Sequence, residues 1–185
     1  TGHLAAMPSD RPVERATLAF GYGLSVTSLQ LARAYAAIAT AGRLPTPGLI
    51  DQGRRPAPER VISPENARVL RRMLVSVTEA GGTATQAAIP GYQVAGKTGT
   101  SRKAVAGGYA DDRYISTFVG MAPASDPRFV AVVTVNEPSA DAYYAGPVAG
   151  PVFQALMSDA LRLYNVMPDA PGDDGGMTIA DRRTP

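Results

Sequence analysis

The chain contains no cysteine, no tryptophan and a single histidine, His3. Without cysteine, it can form neither disulfides nor metal sites built from thiolates. One histidine close to the first residue does not support a Ser-His-Asp triad. The sequence also has no run of about 18 apolar residues, which is the length a membrane-spanning helix needs. These absences exclude several common sources of chemistry, and they predict no metal and no cofactor.

Charge of either sign is also sparse. The formal net charge is +2 and the isoelectric point is near 9.0. The charges are spread along the chain with no dense basic block, so we predict no nucleic-acid partner. Lysine is the scarce basic residue, because only Lys97 and Lys103 occur among the 18 basic residues. A lysine within an apolar segment therefore stands out.

Three segments have helical patterns. Residues 28–40 predict a helix with Ser25 or Thr27 as its N-cap. Ser63, followed by Pro64, predicts the start of a second helix, because a hydroxyl cap precedes proline at the first helical position. Residues 151–165 predict a third helix. Its expected buried face repeats at helical spacing and comprises Phe153, Leu156, Met157, Ala160 and Tyr164.

Three further segments read as strands, namely residues 92–100, 113–122 and 129–135. Residues 101–112 contain glycines and charges, and they predict a mobile hairpin loop between the first two strands. Connections this short require antiparallel pairing, since a parallel crossover needs a dozen residues or more. The expected fold class is therefore α+β, with an antiparallel sheet of at least three strands flanked by helices.

The chain is long enough for one domain or for part of one. Residues 1–165 carry the periodic patterns, so we assign them together to one domain or to part of one. Residues 166–185 are rich in proline, glycine and aspartate and contain few large apolar side chains. This composition predicts a disordered tail.

A phosphate-binding pattern, G-x-x-x-x-G-K-[ST], matches residues 91–98, which read G-Y-Q-V-A-G-K-T. That loop works only when an apolar strand precedes it and a helix begins at the lysine. Here a short segment ending in Pro90 precedes it, and Gly99 follows soon after, so neither condition is met. We therefore reject a nucleotide site.

The alternative is that V-A-G-K-T-G-T-S-R, residues 94–102, forms a strand along a cleft. Lys97 would supply positive potential, and Thr98 and Thr100 would supply hydroxyl donors suited to a carboxylate. Gly99 would allow a ligand to approach the backbone closely. The backbone N–H of Thr100 could point at a developing oxyanion. These features predict an anion-binding catalytic strand.

This stretch resembles the K-[ST]-G-T strand of penicillin-binding proteins and serine β-lactamases, whose three motifs are S-x-x-K, S-x-N and K-T-G. Residues 16–36, the approach A-A-I-P-G-Y-Q-V-A-G-K-T-G-T and residues 120–133 are also similar to the class B transpeptidases. The likeness is greatest to the septal, cell-division type called penicillin-binding protein 3, and it covers roughly residues 1–167. It implies a penicillin-binding fold that is incomplete in this chain.

The resemblance implies roles for particular residues. Lys97 would shape the charge around a serine–lysine pair, Thr98 and Thr100 would hold a carboxylate, and the Thr100 N–H would form half of an oxyanion hole. From this we expect Thr100→Ala to slow acylation and to leave the fold intact. Arg102 would approach the same carboxylate or simply be solvated. Three tyrosines would either wall the pocket or pack ordinarily: Tyr114, Tyr143 and Tyr144.

Two of the three motifs do not occur in the sequence. Three residues before Lys97 and Lys103 stand Val94 and Thr100, and no asparagine has a serine two residues before it. By resemblance, this chain would be the carboxy-terminal part of a peptidoglycan D,D-transpeptidase, and the nucleophile would lie in an upstream, N-terminal part of the same protein. The expected partners are the peptidoglycan stem peptide, β-lactam antibiotics and cell-division proteins.

The resemblance further implies a location on the periplasmic side of the bacterial inner membrane, with anchoring by an N-terminal helix that is not in this chain. Two alternatives stay open. The first is a serine β-lactamase or D,D-carboxypeptidase, which shares the K-T-G strand. The second is a non-catalytic penicillin-binding sensor or scaffold domain.

Overall fold

A computed structural model describes residues 2–4, 12–18, 21, 23–50, 53, 56–105, 108–139 and 142–170. The helices are α1 (Pro12–Leu18), α2 (Ser28–Ala39), α3 (Pro64–Val75) and α4 (Ala145–Leu163), and a 3-10 turn spans Thr85–Ala87. The strands are β1 (His3–Leu4), β2 (Leu24–Ser25), β3 (Arg43–Leu44), β4 (Glu59–Arg60), β5 (Ala95–Val105), β6 (Gly108–Ala122) and β7 (Phe129–Asn136).

The main sheet has the strand order β5-β6-β7, and both pairings are antiparallel. This confirms the predicted α+β class and the predicted antiparallel connections. The predicted loop at residues 101–112 is wrong, because β5 and β6 continue as one long hairpin around residues 106–107. Those two residues lie outside the described ranges. Two small antiparallel pairs, β1-β2 and β3-β4, accompany the sheet.

Helices α2 and α3 begin as the sequence predicts. Thr27 caps α2, since its Oγ1 accepts the Gln30 backbone N–H at 3.2 Å while Gln30 Oε1 accepts the Thr27 backbone N–H at 2.9 Å. Ser63 caps α3 by accepting the Asn66 backbone N–H at 3.1 Å. Both caps satisfy N–H groups that have no partner within the helix.

The two faces of the sheet carry different cores. On one face, Phe118 of β6 meets Phe153 of α4 edge to face, with ring centroids 4.8 Å apart. Gly96 and Gly120 lie on this face, and a Cβ on either would overlap a phenylalanine ring. On the other face, Met121 packs with α2 and α3 side chains. The sheet is therefore covered on both sides at the end where β5 begins.

Helix α4 differs from its prediction in where it begins and in which residues form its buried face. It begins at Ala145, six residues earlier than expected, and it buries Phe153 and Met157 as predicted. Two predicted core residues, Leu156 and Tyr164, are instead 55% and 65% exposed. The face on the sheet repeats every four residues, through Ala149, Phe153, Met157 and Leu161, so Leu156 falls on the opposite side.

The segment after α4 is hydrogen-bonded to the approach to β5. The Asp169 carboxylate accepts the backbone N–H groups of Gln93 and Ser125 at 2.8 and 2.9 Å. The Ala170 N–H reaches the Gly91 carbonyl at 3.1 Å. The start of the predicted tail, residues 166–170, is thus hydrogen-bonded to the segments just before β5 and just after β6. Residues 171–185 lie outside the described part of the chain, and disorder there stays a prediction.

Candidate active site

The K-T-G-T segment lies on β5, which pairs with β6 on one side and forms an edge of the described sheet. A groove of about 450 Å³ runs along this edge. Helix α2 contributes Leu31 and Tyr35 to its wall, and β6 contributes Thr117 and Val119. Burial raises the pKa of the Tyr35 phenol, so Tyr35 enters the wall as a neutral group. The β5 lining comprises Lys97, Thr98, Gly99, Thr100 and Ser101.

Lys97 lies on the sheet face that α2 covers. In the β5-β6 register it stands opposite Val119, and its Nζ donates to the Thr98 carbonyl at 2.8 Å. Its side chain is exposed, and no carboxylate in the described ranges lies within ion-pair distance of it. Its positive charge is therefore available to an anionic ligand in the groove.

Thr98 and Thr100 project from the opposite face of the same strand, toward α4. The Thr98 hydroxyl lies 3.1 Å from the Thr83 hydroxyl. The Thr100 hydroxyl accepts the Ala145 backbone N–H, at the start of α4, at 3.1 Å. Both threonines still border the groove. Lys97, Thr98 and Thr100 therefore border one groove, although their side chains leave the strand on opposite faces.

Gly99 lies on the same face of β5 as Lys97, opposite Thr117 of β6, and leaves room beside the backbone. A Cβ built on it would meet only the Thr117 carbonyl oxygen, at 3.9 Å. No described neighbour therefore requires glycine here by packing. Open space at this point is what close approach of a ligand to the backbone needs.

Arg102 lies beside the groove and does not line it. Its Nη1 is 3.6 Å from Asp111 Oδ1, and both side chains are largely exposed, so the pair contributes little stability. Arg102 borders a second cavity of about 710 Å³, which adjoins the first through Gly21 and Ser101. Its approach to a bound carboxylate therefore stays a prediction.

The three tyrosines form one aromatic cluster. The rings of Tyr114 and Tyr143 stack with centroids 4.2 Å apart, and Tyr144 lies 4.5 Å from Tyr143. A hydrogen bond to the Tyr144 hydroxyl raises the pKa of Tyr143. The cluster adjoins the site, because Ala145 follows Tyr144 directly and binds Thr100. None of the three lines the groove, so their role as pocket walls stays a prediction.

Thr83 is the site neighbour that sequence reasoning missed. The residues around it read as a connection leading to Pro90, and fifteen positions separate it from Thr98. No local pattern indicates such a contact. Only the packing of this connection against β5 and α4 brings the two hydroxyls together.

An edge strand bearing K-T-G-T, with α2 on one face and α4 on the other, defines the class of the domain. Residues 1–158 match the family described as penicillin binding protein transpeptidase domain, and the chain belongs to that family. It is 45% identical over 175 residues to the probable peptidoglycan D,D-transpeptidase PenA of Neisseria meningitidis serogroup A. It is 46% identical over 159 residues to the peptidoglycan D,D-transpeptidase FtsI of Escherichia coli K12.

Solved structures agree with this assignment. The apo transpeptidase domain from Burkholderia pseudomallei penicillin-binding protein 3 superposes with a TM-score of 0.81 at 45% identity, over 92% of this chain and 52% of that one. The alignment with PenA covers 95% of this chain and 29% of PenA. The alignment with FtsI covers 85% of this chain and 27% of FtsI. The chain therefore corresponds to less than a third of the length of these relatives.

Within the described residues, no group of three or more histidine, cysteine or acidic side chains comes together as a metal site. No helix in the described part of the chain is long and apolar enough to cross a membrane.

Proposed function

We propose that these residues are part of a peptidoglycan D,D-transpeptidase that cross-links stem peptides through a serine acyl-enzyme and is acylated by β-lactams. The observation that carries the proposal is the groove itself. Lys97, without a carboxylate partner in the described ranges, borders one groove together with Thr98 and Thr100 in a chain of this family. A ligand with a terminal carboxylate suits that combination of charge and donors.

In the proposed reaction a serine oxygen attacks the carbonyl carbon of the D-Ala-D-Ala peptide bond. The new ester bond forms as the C–N bond breaks, and the serine proton leaves with the terminal D-alanine amine. An amine from a neighbouring strand then attacks the ester carbonyl carbon. The new amide bond forms as the ester C–O bond breaks, and the amine proton returns to the serine oxygen. Thr98 and Thr100 hold the substrate carboxylate, the Thr100 N–H stabilises the oxyanion, and Lys97 makes the site electropositive.

The serine comes from residues outside this sequence. The 185 residues contain no S-x-x-K and no S-x-N, and they span less than a third of the length of the relatives. On this proposal the present segment supplies the K-T-G-T strand and the helices that pack on it. By itself it has no nucleophile of the expected kind.

Labelling with fluorescent penicillin tests the proposal. The intact parent protein should become covalently labelled, and the isolated 185 residues should not. Labelling of the isolated segment would contradict the absent nucleophile. An intact parent that takes up no label would contradict the transpeptidase assignment, and rapid hydrolysis of the drug by the parent would favour a β-lactamase.

The cellular setting is part of the proposal, and the relatives support it. The match to FtsI and to penicillin-binding protein 3 supports a role in cell division. Such a role requires the domain to work on the periplasmic side of the inner membrane, where peptidoglycan lies, in contact with cell-division proteins.

A further inference from the structure

Thr83 occupies an unusual position beside the proposed carboxylate site. It lies between α3 and the 3-10 turn, and its Oγ1 is 3.1 Å from Oγ1 of Thr98. Thr98 is one of the residues that border the groove. Thr83 does not line the groove itself. The contact of Thr83 with the groove is therefore made through Thr98.

The backbone around Thr83 is held on two sides. Ala84 is fully buried, and its N–H donates to the Val77 carbonyl at 2.9 Å. The first turn of α4 presses on Thr83, because a Cβ on Gly146 would overlap the Thr83 carbonyl oxygen. The Thr83 hydroxyl is thus presented to Thr98 by packed chain.

The number of hydroxyl protons determines which threonine donates in the hydrogen bond between Thr83 and Thr98. A threonine hydroxyl has one proton to donate, and its oxygen can also accept. Thr100 already accepts the Ala145 N–H, so its own proton is left for the groove. If Thr98 donates its single proton to an anion in the groove, it has none for Thr83. The hydrogen bond between them then requires Thr83 to be the donor.

We propose that Thr83 is a positioning residue that orients the Thr98 hydroxyl as a donor toward the ligand carboxylate. The Thr83 hydroxyl serves Thr98 as the Ala145 N–H serves Thr100. Each of the two threonine hydroxyls then accepts one hydrogen bond, from Thr83 or from Ala145, and can donate its own proton to a ligand. A hydroxyl that accepts one hydrogen bond is a stronger donor of the next, and its rotation is restricted. This inference rests on the proposed carboxylate role of Thr98.

The experiment compares Thr83→Val, which removes the hydroxyl and keeps the shape, with Thr83→Ser, which keeps the hydroxyl. Thr85→Val is the matched control, because Thr85 is an exposed threonine two positions away in the 3-10 turn. The intact parent is used throughout. The second-order rate of acylation is measured with a penicillin and with the methyl ester of the same penicillin.

Thr83→Val should slow acylation by the free acid by roughly 3-fold to 10-fold, the effect of one hydrogen bond of about 1 kcal/mol. Its rate with the ester should match that of the wild type, because the ester has no carboxylate for Thr98 to bind. Thr83→Ser should recover most of the rate, and Thr85→Val should resemble the wild type. If melting shows that Thr83→Val does not fold, Thr83→Ala replaces it.

Equal rates for wild type and Thr83→Val with the free acid would overturn the inference. An equal loss with acid and ester would also overturn it, because that pattern indicates a purely structural role. A wild type that reacts with neither compound would instead refute the proposed function, together with this inference. The two failures are therefore distinguishable.

Discussion

The two lysines of the chain lie on the same strand, six residues apart, in opposite surroundings. Near the hairpin end of β5, Lys103 forms a hydrogen-bonded ion pair with Glu137, which follows β7. At the other end, Lys97 donates to the Thr98 carbonyl and has no carboxylate partner in the described ranges. The same side chain is thus neutralised at one end of the strand and left with its charge at the other.

The difference indicates which end of β5 can bind an anion. A carboxylate in contact with Lys103 satisfies its charge, so a second anion would have to compete with Glu137. Lys97 faces a groove that Thr98 and Thr100 also border, and among the described residues its ammonium group contacts the neutral Thr98 carbonyl and no carboxylate. An anionic ligand that excludes solvent from this groove would interact more strongly with the ammonium group than it would in water.

The strongest test of this comparison removes each ammonium group in turn. Lys97→Met should slow acylation of the intact parent by penicillin on the order of 100-fold, the size of effect seen when one preorganised charged or hydrogen-bonding group is removed. Lys103→Met, the matched control on the same strand, should change the rate less than 3-fold, within the roughly 1 kcal/mol of an exposed ion pair. Both rates come from fluorescent labelling.

The melting temperature of each lysine variant is measured alongside its acylation rate. Lys97 is exposed and makes no ion pair within the described residues, so Lys97→Met should leave the melting temperature nearly unchanged. Equal rate losses for the two variants would mean that the comparison does not identify the active end of the strand. A large drop in melting temperature for Lys97→Met would show a structural role instead.

The next largest effect is expected at Thr100, on the packed face of the strand. Thr100→Ala removes a donor to the carboxylate, which corresponds to roughly 10-fold or more in acylation rate. It also removes the acceptor for the first N–H of α4, at a cost comparable to that of a lost helix cap, about 0.5–2 kcal/mol. Thr100→Ala should therefore also lower the free energy of unfolding, and that the fold stays intact remains a prediction.

Thr100→Ser keeps both hydrogen bonds and is the control for this substitution. It should retain most of the rate and most of the stability in urea unfolding. Rate and stability should therefore fall together at Thr100, whereas Lys97→Met should lower the rate alone. A Thr100→Ala variant of unchanged stability would exclude the contact with Ala145 as a support of α4.

The parts of the fold that were predicted from sequence rest on local signals. The caps of α2 and α3 and the K-T-G-T strand are each written within a few consecutive residues. No local signal indicates the early start of α4, because residues 145–151 contain two prolines and two glycines, which are poor helix formers. Gly146 is needed where α4 meets the Thr83 backbone, and only the tertiary contact reveals this.

The β5-β6 hairpin is a second element whose extent could not be predicted from local composition. Glycines and aspartates at residues 107–112 favour a loop by composition. Pairing nevertheless extends from Ala95 opposite Met121 to Val105 opposite Gly108, with one irregularity between Arg102 and Ala104. Cross-strand contacts along the whole ladder override local preference there. The contact of Thr83 with Thr98 was missed for the same reason, since it too depends on distant chain.

The smallest expected effect concerns the neutralised end of β5. The hydrogen bond from Lys103 holds the pKa of Glu137 below its ordinary value of 4.5, and the charges of Lys103 and Arg113 act in the same direction. Because the pKa is lower in the folded protein than in the unfolded chain, this carboxylate contributes stability above its unfolded pKa. That contribution is lost as pH falls through the folded value. Since the pair is at the surface, salt should weaken it.

Titration of the Glu137 carboxyl by NMR checks this last point, with the same two lysine variants. Lys103→Met should raise the pKa of Glu137 toward 4.5, and Lys97→Met should leave it where it is, because Lys97 is not among the groups that act on it. A shift of equal size in both variants would mean that the two ends of β5 share one electrostatic field. In that case Lys97 could not be regarded as an independent charge reserved for the groove.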